Sequence, residues 1–154
     1  MDTVGIWSNS ALLADCLKDR LGGQYRFVCG RHPADFVSSG ELDLLVAAPD
    51  AAGLAGLTVL HPRLALLPGG CVWACRQVRA TSAVSYGLGS QNTLTLSSMT
   101  GDCASVALQR ELLTLSGRSV ERQEWVLPFH DDPGSADRLL CLVGALLLLD
   151  CDPL

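Results

Sequence analysis

The 154-residue chain is 49% apolar, only 18% charged, and carries a net charge of −5. A chain of this length buries roughly two thirds of its unfolded surface in one core, so a single domain spanning residues 1–154 is expected. The acidic balance, with no concentration of basic residues, withholds the electrostatic drive for nucleic-acid binding.

In chain order, Thr3 to Trp7 reads as a short apolar strand. Ser8-Asn9-Ser10 lead into a helix in which Leu12, Leu13, Cys16, Leu17 and Leu21 recur at three- and four-residue spacing and should face inward. Ser10 or Ser8 suits the N-cap, and Gly22-Gly23 stops the helix. A second strand follows from Tyr25 to Cys29, then a turn at Gly30-Arg31-His32-Pro33 and one helical turn from Ala34 to Ser38.

Leu42 to Pro49 is a nearly unbroken apolar run closed by Pro49-Asp50, the signature of a strand buried on both faces of a parallel sheet. Such a strand needs helices above and below it, which predicts an α/β domain with a three-layer, Rossmann-like parallel sheet over residues 1–80. Asp50 to Leu57 reads as a loose helical turn, Arg63 to Leu67 as a fourth strand ended by Pro68-Gly69-Gly70, and Cys71 to Val78 as a short helix with Val72, Cys75 and Val78 inward.

The texture then changes. Ser82 to Tyr86 is a strand, and Gly87 to Asn92 a hairpin-like loop. Period-two alternation over residues 93–98, 103–115 and 119–127, with turns at Thr100-Gly101-Asp102 and Ser116-Gly117-Arg118, predicts an antiparallel meander of three strands. Ser135 would cap a last helix reaching Leu149. That helix is apolar all round, so it is either covered completely or packs against another subunit. Its apolar core of about eleven residues falls short of the roughly 20 needed to span a bilayer, so no membrane partner is expected.

No catalytic set assembles. Gly87-Leu88-Gly89-Ser90-Gln91-Asn92 holds two of the three glycines of a dinucleotide fingerprint but precedes a strand pattern, whereas the fingerprint needs a helix to aim its amides at pyrophosphate. The sole lysine, Lys18, sits mid-helix without a glycine loop before it, which excludes a P-loop and leaves Schiff-base chemistry improbable. His32, His61 and His130 each lie beside turn formers, with no Ser or Cys partner identifiable by spacing. Cys71/Cys75 and Cys29/His32 have ligand-like gaps, but no second pair completes a four-ligand zinc site. The sequence therefore calls for no catalytic residue, metal or cofactor.

Ligands of open α/β sheets bind beyond the carboxyl ends of the strands. That places the candidate binding residues at Ser8, Asn9, Ser10, Asp50, Gly69 and Gly70. Their hydroxyls, amides and helix N-terminus suit a small anion bearing phosphate or carboxylate, although Ser8 to Ser10 are more readily explained as helix-capping residues. The N-terminus, MDTVGIWSNS, lacks the basic and apolar regions of a secretion signal, so the seven cysteines are expected to be reduced thiols in a cytoplasmic protein.

Ser85-Tyr86-Gly87-Leu88, the meander and the helix containing Cys141-Leu142-Val143-Gly144-Ala145 together resemble the end of the central domain of Mur ligases, over residues 84–149. The family's glycine-lysine-threonine ATP loop and its C-terminal domain are missing. The resemblance thus implies a sheet topology and not ATP-dependent ligation. The expected function is a non-enzymatic module that binds a small ligand or a protein. The excess of apolar residues argues for a homodimer. The alternative is an enzyme acting on a small anionic metabolite at the strand ends.

Overall fold

The computed structural model describes residues 1–52 and 58–154, without the side chains of Val72 and Cys75. Strands β1 (Thr3–Trp7), β2 (Arg26–Gly30), β3 (Leu44–Ala47), β4 (Leu64–Pro68) and β5 (Ser82–Tyr86) run parallel. They continue into β6 (Leu94–Thr100), β7 (Cys103–Leu108) and β10 (Gln123–Pro128), giving one eight-stranded sheet of order β10-β7-β6-β5-β4-β3-β1-β2. Helix α1 (Leu12–Leu21) joins β1 to β2, α2 (Val72–Gln77) joins β4 to β5, and α3 (Ser135–Leu148) ends the fold. The chain is an α/β domain whose parallel sheet runs on into antiparallel strands and a C-terminal helix.

The apolar run around Leu45 occupies the expected position. Leu44, Leu45, Val46 and Ala47 are all completely buried in β3, which lies between β1 and β4. Alternation sends Leu44 and Val46 to one face, with α1 and α3, and Leu45 and Ala47 to the other, with Trp7 and Phe36. Phe36 belongs to a 3-10 segment, Pro33–Ser39, that carries the chain from β2 to β3. The Asp35 carboxylate caps that segment by accepting the backbone N–H groups of Arg31 (2.8 Å) and His32 (3.0 Å), which holds it below the usual carboxylate range. The second face is closed by Leu60, Val78 and Trp73, whose ring lies 4.6 Å from that of Trp7.

Helix α3 runs across β3, β4, β5 and β6 and supplies much of the main core. Leu140, Cys141, Val143 and Ala145 to Leu149 are at most 3% exposed. Of the two outcomes open to an all-apolar helix, its own chain covers it. Its approach is close at Gly144, where a Cβ would stand 2.9 Å from both Leu66 methyl groups. Helix α3 starts one residue beyond Gly134, which adopts φ 75°, while Ser135 Oγ bonds back to Asp132.

Several expected boundaries shift. Helix α1 buries Ala14, Leu17 and Leu21, whereas Leu12 is 62% exposed and Leu13 and Cys16 are half-buried. The sheet covers only one stripe of α1, and the stripe holding Leu13 and Cys16 turns toward α3. Residues 87–93 do not form a hairpin, because β5 and β6 are parallel and meet only at Tyr86 and Leu94. Strand β6 starts where β5 ends, so β6, β7 and β10 extend past the carboxyl edge of the parallel strands. A bulge between Leu96 and Ser98 shifts the β6–β7 register. The meander also lacks a direct second turn: the link from β7 to β10 contains a separate two-stranded ribbon, β8 (Leu112–Leu113) with β9 (Ser119–Val120). The loose helical turn expected over residues 50–57 falls mostly outside the described residues, as do the inward side chains expected at 72 and 75.

Candidate functional site

The chain winds from β1 through α1 to β2 at one edge, then crosses back over β1 to β3 on the opposite face. Winding therefore reverses between β1 and β3, and a crevice opens beyond their carboxyl ends. Ser8-Asn9-Ser10 leave β1 there, and Ala48-Pro49-Asp50 leave β3.

Asp50 ties the two loops together. Its carboxylate accepts the Ser8 hydroxyl at 2.9 Å and the Asn9 backbone N–H at 3.2 Å, while its carbonyl accepts the Asn9 side-chain amide at 3.1 Å. Ser8 Oγ takes the Ser10 N–H at 3.1 Å, and Ser10 Oγ takes the Leu12 N–H at 3.2 Å. Ser10 thus takes one N–H of the first turn of α1, while the N-cap position itself falls one residue later than expected, on Ala11. The chain's own carboxylate already takes the Ser8 hydroxyl and the Asn9 N–H, donors that an anion in this loop would otherwise use.

Beside this knot lies a cavity of about 580 Å³ between α1 and the first half of α3. Leu12, Leu13 and Cys16 form one wall, and Leu139, Cys141 and Leu142 the other. Ala48, Pro49, Ser8, Ser10 and Asp50 close the sheet end, with Gly134 and Arg138 at the α3 terminus. Its size and mostly apolar lining, with a few polar groups at the sheet end and Arg138 at the α3 terminus, are those of small-molecule sites. The cavity exists because α1 turns Leu13 and Cys16 toward α3 instead of burying them against the sheet.

Behind the lining residues Ala48 and Cys141, a buried hydrogen bond anchors the end of β3. Tyr86 crosses from β5 and donates its hydroxyl to the Ala47 carbonyl at 2.7 Å; the Cys141 thiol approaches the same oxygen at 3.8 Å. Burial pushes the Tyr86 hydroxyl well above its ordinary value of 10.0 and the Cys141 thiol from 9.0 up to about 12. Both therefore stay neutral over the physiological range, and Cys141 is no nucleophile. Of the thiols lining the cleft, only Cys16 is partly accessible.

Four of the six residues picked from sequence converge: Ser8, Ser10 and Asp50 line the cleft, and Asn9 is bonded to Asp50. Gly69 and Gly70 do not line it. Gly69 instead leaves room for Asn92, because a Cβ at 69 would stand 1.9 Å from Asn92 Oδ1. Gly87 packs on the same amide, with a Cβ 2.8 Å from Asn92 Nδ2. Gly69 and Gly87, from two different loops, thus make room for the same buried asparagine, while Gly89 packs against Gln91. Sequence reasoning missed Arg138, Leu139 and Leu142. Their helix reads as uniformly apolar, and nothing local says that its N-terminal half faces α1.

A second, more open groove of about 760 Å³ lies on the uncovered face of β6, β7 and β10, lined by Thr95, Ser97, Ala107, Gln109, Arg122 and Glu124 among others. Among the described residues the buried Thr95 hydroxyl has no hydrogen-bond partner there. No helix is long and apolar enough to cross a membrane among the described residues. No protein-family model, characterised protein or solved structure matches the chain.

Proposed function

We propose that the protein is a non-enzymatic binding module that holds a small, largely apolar ligand in the cleft between α1 and α3. The observation that carries this reading is the cavity of about 580 Å³ at the β1/β3 crevice, walled by Leu12, Leu13, Leu139 and Leu142. Burying a ligand against those side chains gains about 25 cal/mol per Å² of apolar surface removed from water. The alternative of an enzyme acting on an anionic metabolite is less well supported. Asp50 takes the Ser8 and Asn9 donors such an anion would use, and no nucleophile–base pair meets in the cleft. The Mur-ligase resemblance adds only a sheet topology to this proposal.

The test is binding of the uncharged apolar fluorophore N-phenyl-1-naphthylamine to the native protein. Saturable one-to-one binding is expected, and Leu142→Trp, which fills the cleft, should abolish it without loss of the folded circular-dichroism signal. Absence of binding to the unmodified protein, or unchanged binding to the variant, overturns the reading.

The proposal includes a homodimer in the cytoplasm. Strand β10 lies at the sheet edge with Val126 64% exposed, and Leu113 is 57% exposed on the adjoining ribbon. An edge strand with exposed apolar side chains is a template for pairing with a second copy. The cytoplasmic assignment is supported by the described cysteines, which are free thiols.

A further inference from the structure

The cleft holds two opposite charges that do not neutralise one another. Asp50 stands at the α1 end, its carboxylate fastened by Ser8 and Asn9. Arg138 stands at the α3 end and donates one N–H to the Pro133 carbonyl at 3.4 Å. Among the described residues the only ion pair is Arg118 with Asp150, which lies outside the cleft. Arg138 also occupies the first turns of α3, where the helix dipole disfavours a cation. Its side chain is solvent-exposed at the mouth of the cleft, so its remaining N–H groups are open to a negative group arriving there.

We infer that the ligand is a zwitterion with an apolar side chain, its ammonium against Asp50, its carboxylate against Arg138 and its side chain among Leu13, Leu139 and Leu142. This rests on the cleft being the binding site. A simple anion would meet Asp50 head-on. A bare hydrocarbon would shield part of both exposed charges from water and return nothing to either. A zwitterion answers each with a charge-assisted hydrogen bond and leaves its apolar part for the leucines. Two sources share this chemistry: a free apolar amino acid, and a short peptide whose two termini lie further apart.

The experiment is calorimetric titration of the native protein with L-leucine, leucyl-leucine, 3-methylbutylamine (leucine without its carboxylate) and 4-methylpentanoate (leucine without its amine). The better of the two zwitterions should bind at least about tenfold more tightly than either single-charge analogue. Preference for leucine identifies the free amino acid as the source, and preference for leucyl-leucine the peptide. Asp50→Asn, which keeps an acceptor for Ser8, should weaken the zwitterion about tenfold and bind 4-methylpentanoate at least as tightly as the parent, because the like charge is gone. Arg138→Gln should weaken the zwitterion and 4-methylpentanoate but not the amine. Equal binding of zwitterion and analogues, insensitivity to both variants, or no binding by any of the four while the fluorophore binds each overturns the zwitterion and leaves the cleft standing. Failure of the fluorophore itself removes the cleft.

Discussion

Tyr86→Phe isolates the buried hydrogen bond that anchors the end of β3 behind the cleft. The substitution removes a single oxygen from a side chain that is 1% exposed, so packing is preserved and no new cavity forms. What is lost is the 2.7 Å bond to the Ala47 carbonyl, leaving that oxygen with the weak Cys141 thiol at 3.8 Å. A typical net hydrogen bond contributes about 0.5–1.5 kcal/mol, and a buried group left unsatisfied costs about 1–3 kcal/mol. The partial substitute from Cys141 places the expected loss at about 1–2 kcal/mol, or about 3–6 °C in Tm for a chain of this size. Urea unfolding monitored by tryptophan fluorescence measures it, with the slope m unchanged because the buried surface is unchanged. A variant as stable as the parent, or more stable, refutes the assignment of this hydroxyl as a buried donor.

The remaining predictions concern titration, packing and assembly. Tyr86 and Cys141 have folded-state values raised above their unfolded ones, so their contribution is complete below about pH 9 and lost as pH climbs. Stability should fall by about 1.4 kcal/mol per pH unit above pH 9, from Cys141, and about twice that above pH 10 once Tyr86 joins; a stability profile flat to pH 11 contradicts this. In a spectrophotometric titration Tyr25, raised by partial burial and by nearby Asp150, Asp2 and Cys151, should ionise first, and Tyr86 only on alkaline unfolding. Gly69→Ala should cost about 1–3 kcal/mol by displacing buried Asn92, and Asn92→Ala in the same chain should recover at least about 1 kcal/mol by urea denaturation; additive losses would show that the two do not touch. Light scattering coupled to size exclusion should give a dimer mass, whereas a strict monomer at high micromolar concentration removes the dimer.

The parallel half was legible because its signals are local. A β3 run without a charged residue between Asp43 and Asp50 can be satisfied only by burial on both faces, and Ser10 before a helical period marks a helix start. Strand order itself is not legible in the sequence, but the rule that ligands of parallel sheets sit beyond the carboxyl ends of the strands groups Ser8, Asn9, Ser10 and Asp50, and the fold does bring these four together. Gly69 and Gly70 misled because glycine records that space or a special backbone angle is needed, not what fills the space; at Gly69 it is Asn92. Leu13 and Cys16 misled for the complementary reason. A helical period gives the apolar face but not which part of it meets the sheet and which part meets another helix 120 residues away in sequence. The meander was read from alternation, and alternation persists through Gln109 to Glu111 even though the ladder stops at Leu108, so the β8–β9 ribbon was invisible. The role of Arg138 depends wholly on where α3 lands.

The most direct test of the cleft is a ¹H–¹⁵N correlation spectrum recorded while the apolar fluorophore or L-leucine is added. The account predicts shifts at Leu12 to Cys16, Asp50 and Gly134 to Leu142, with residues 95–109 unmoved. Shifts centred instead on Thr95, Gln109 and Glu124 would transfer the site to the open face of the meander and contradict it.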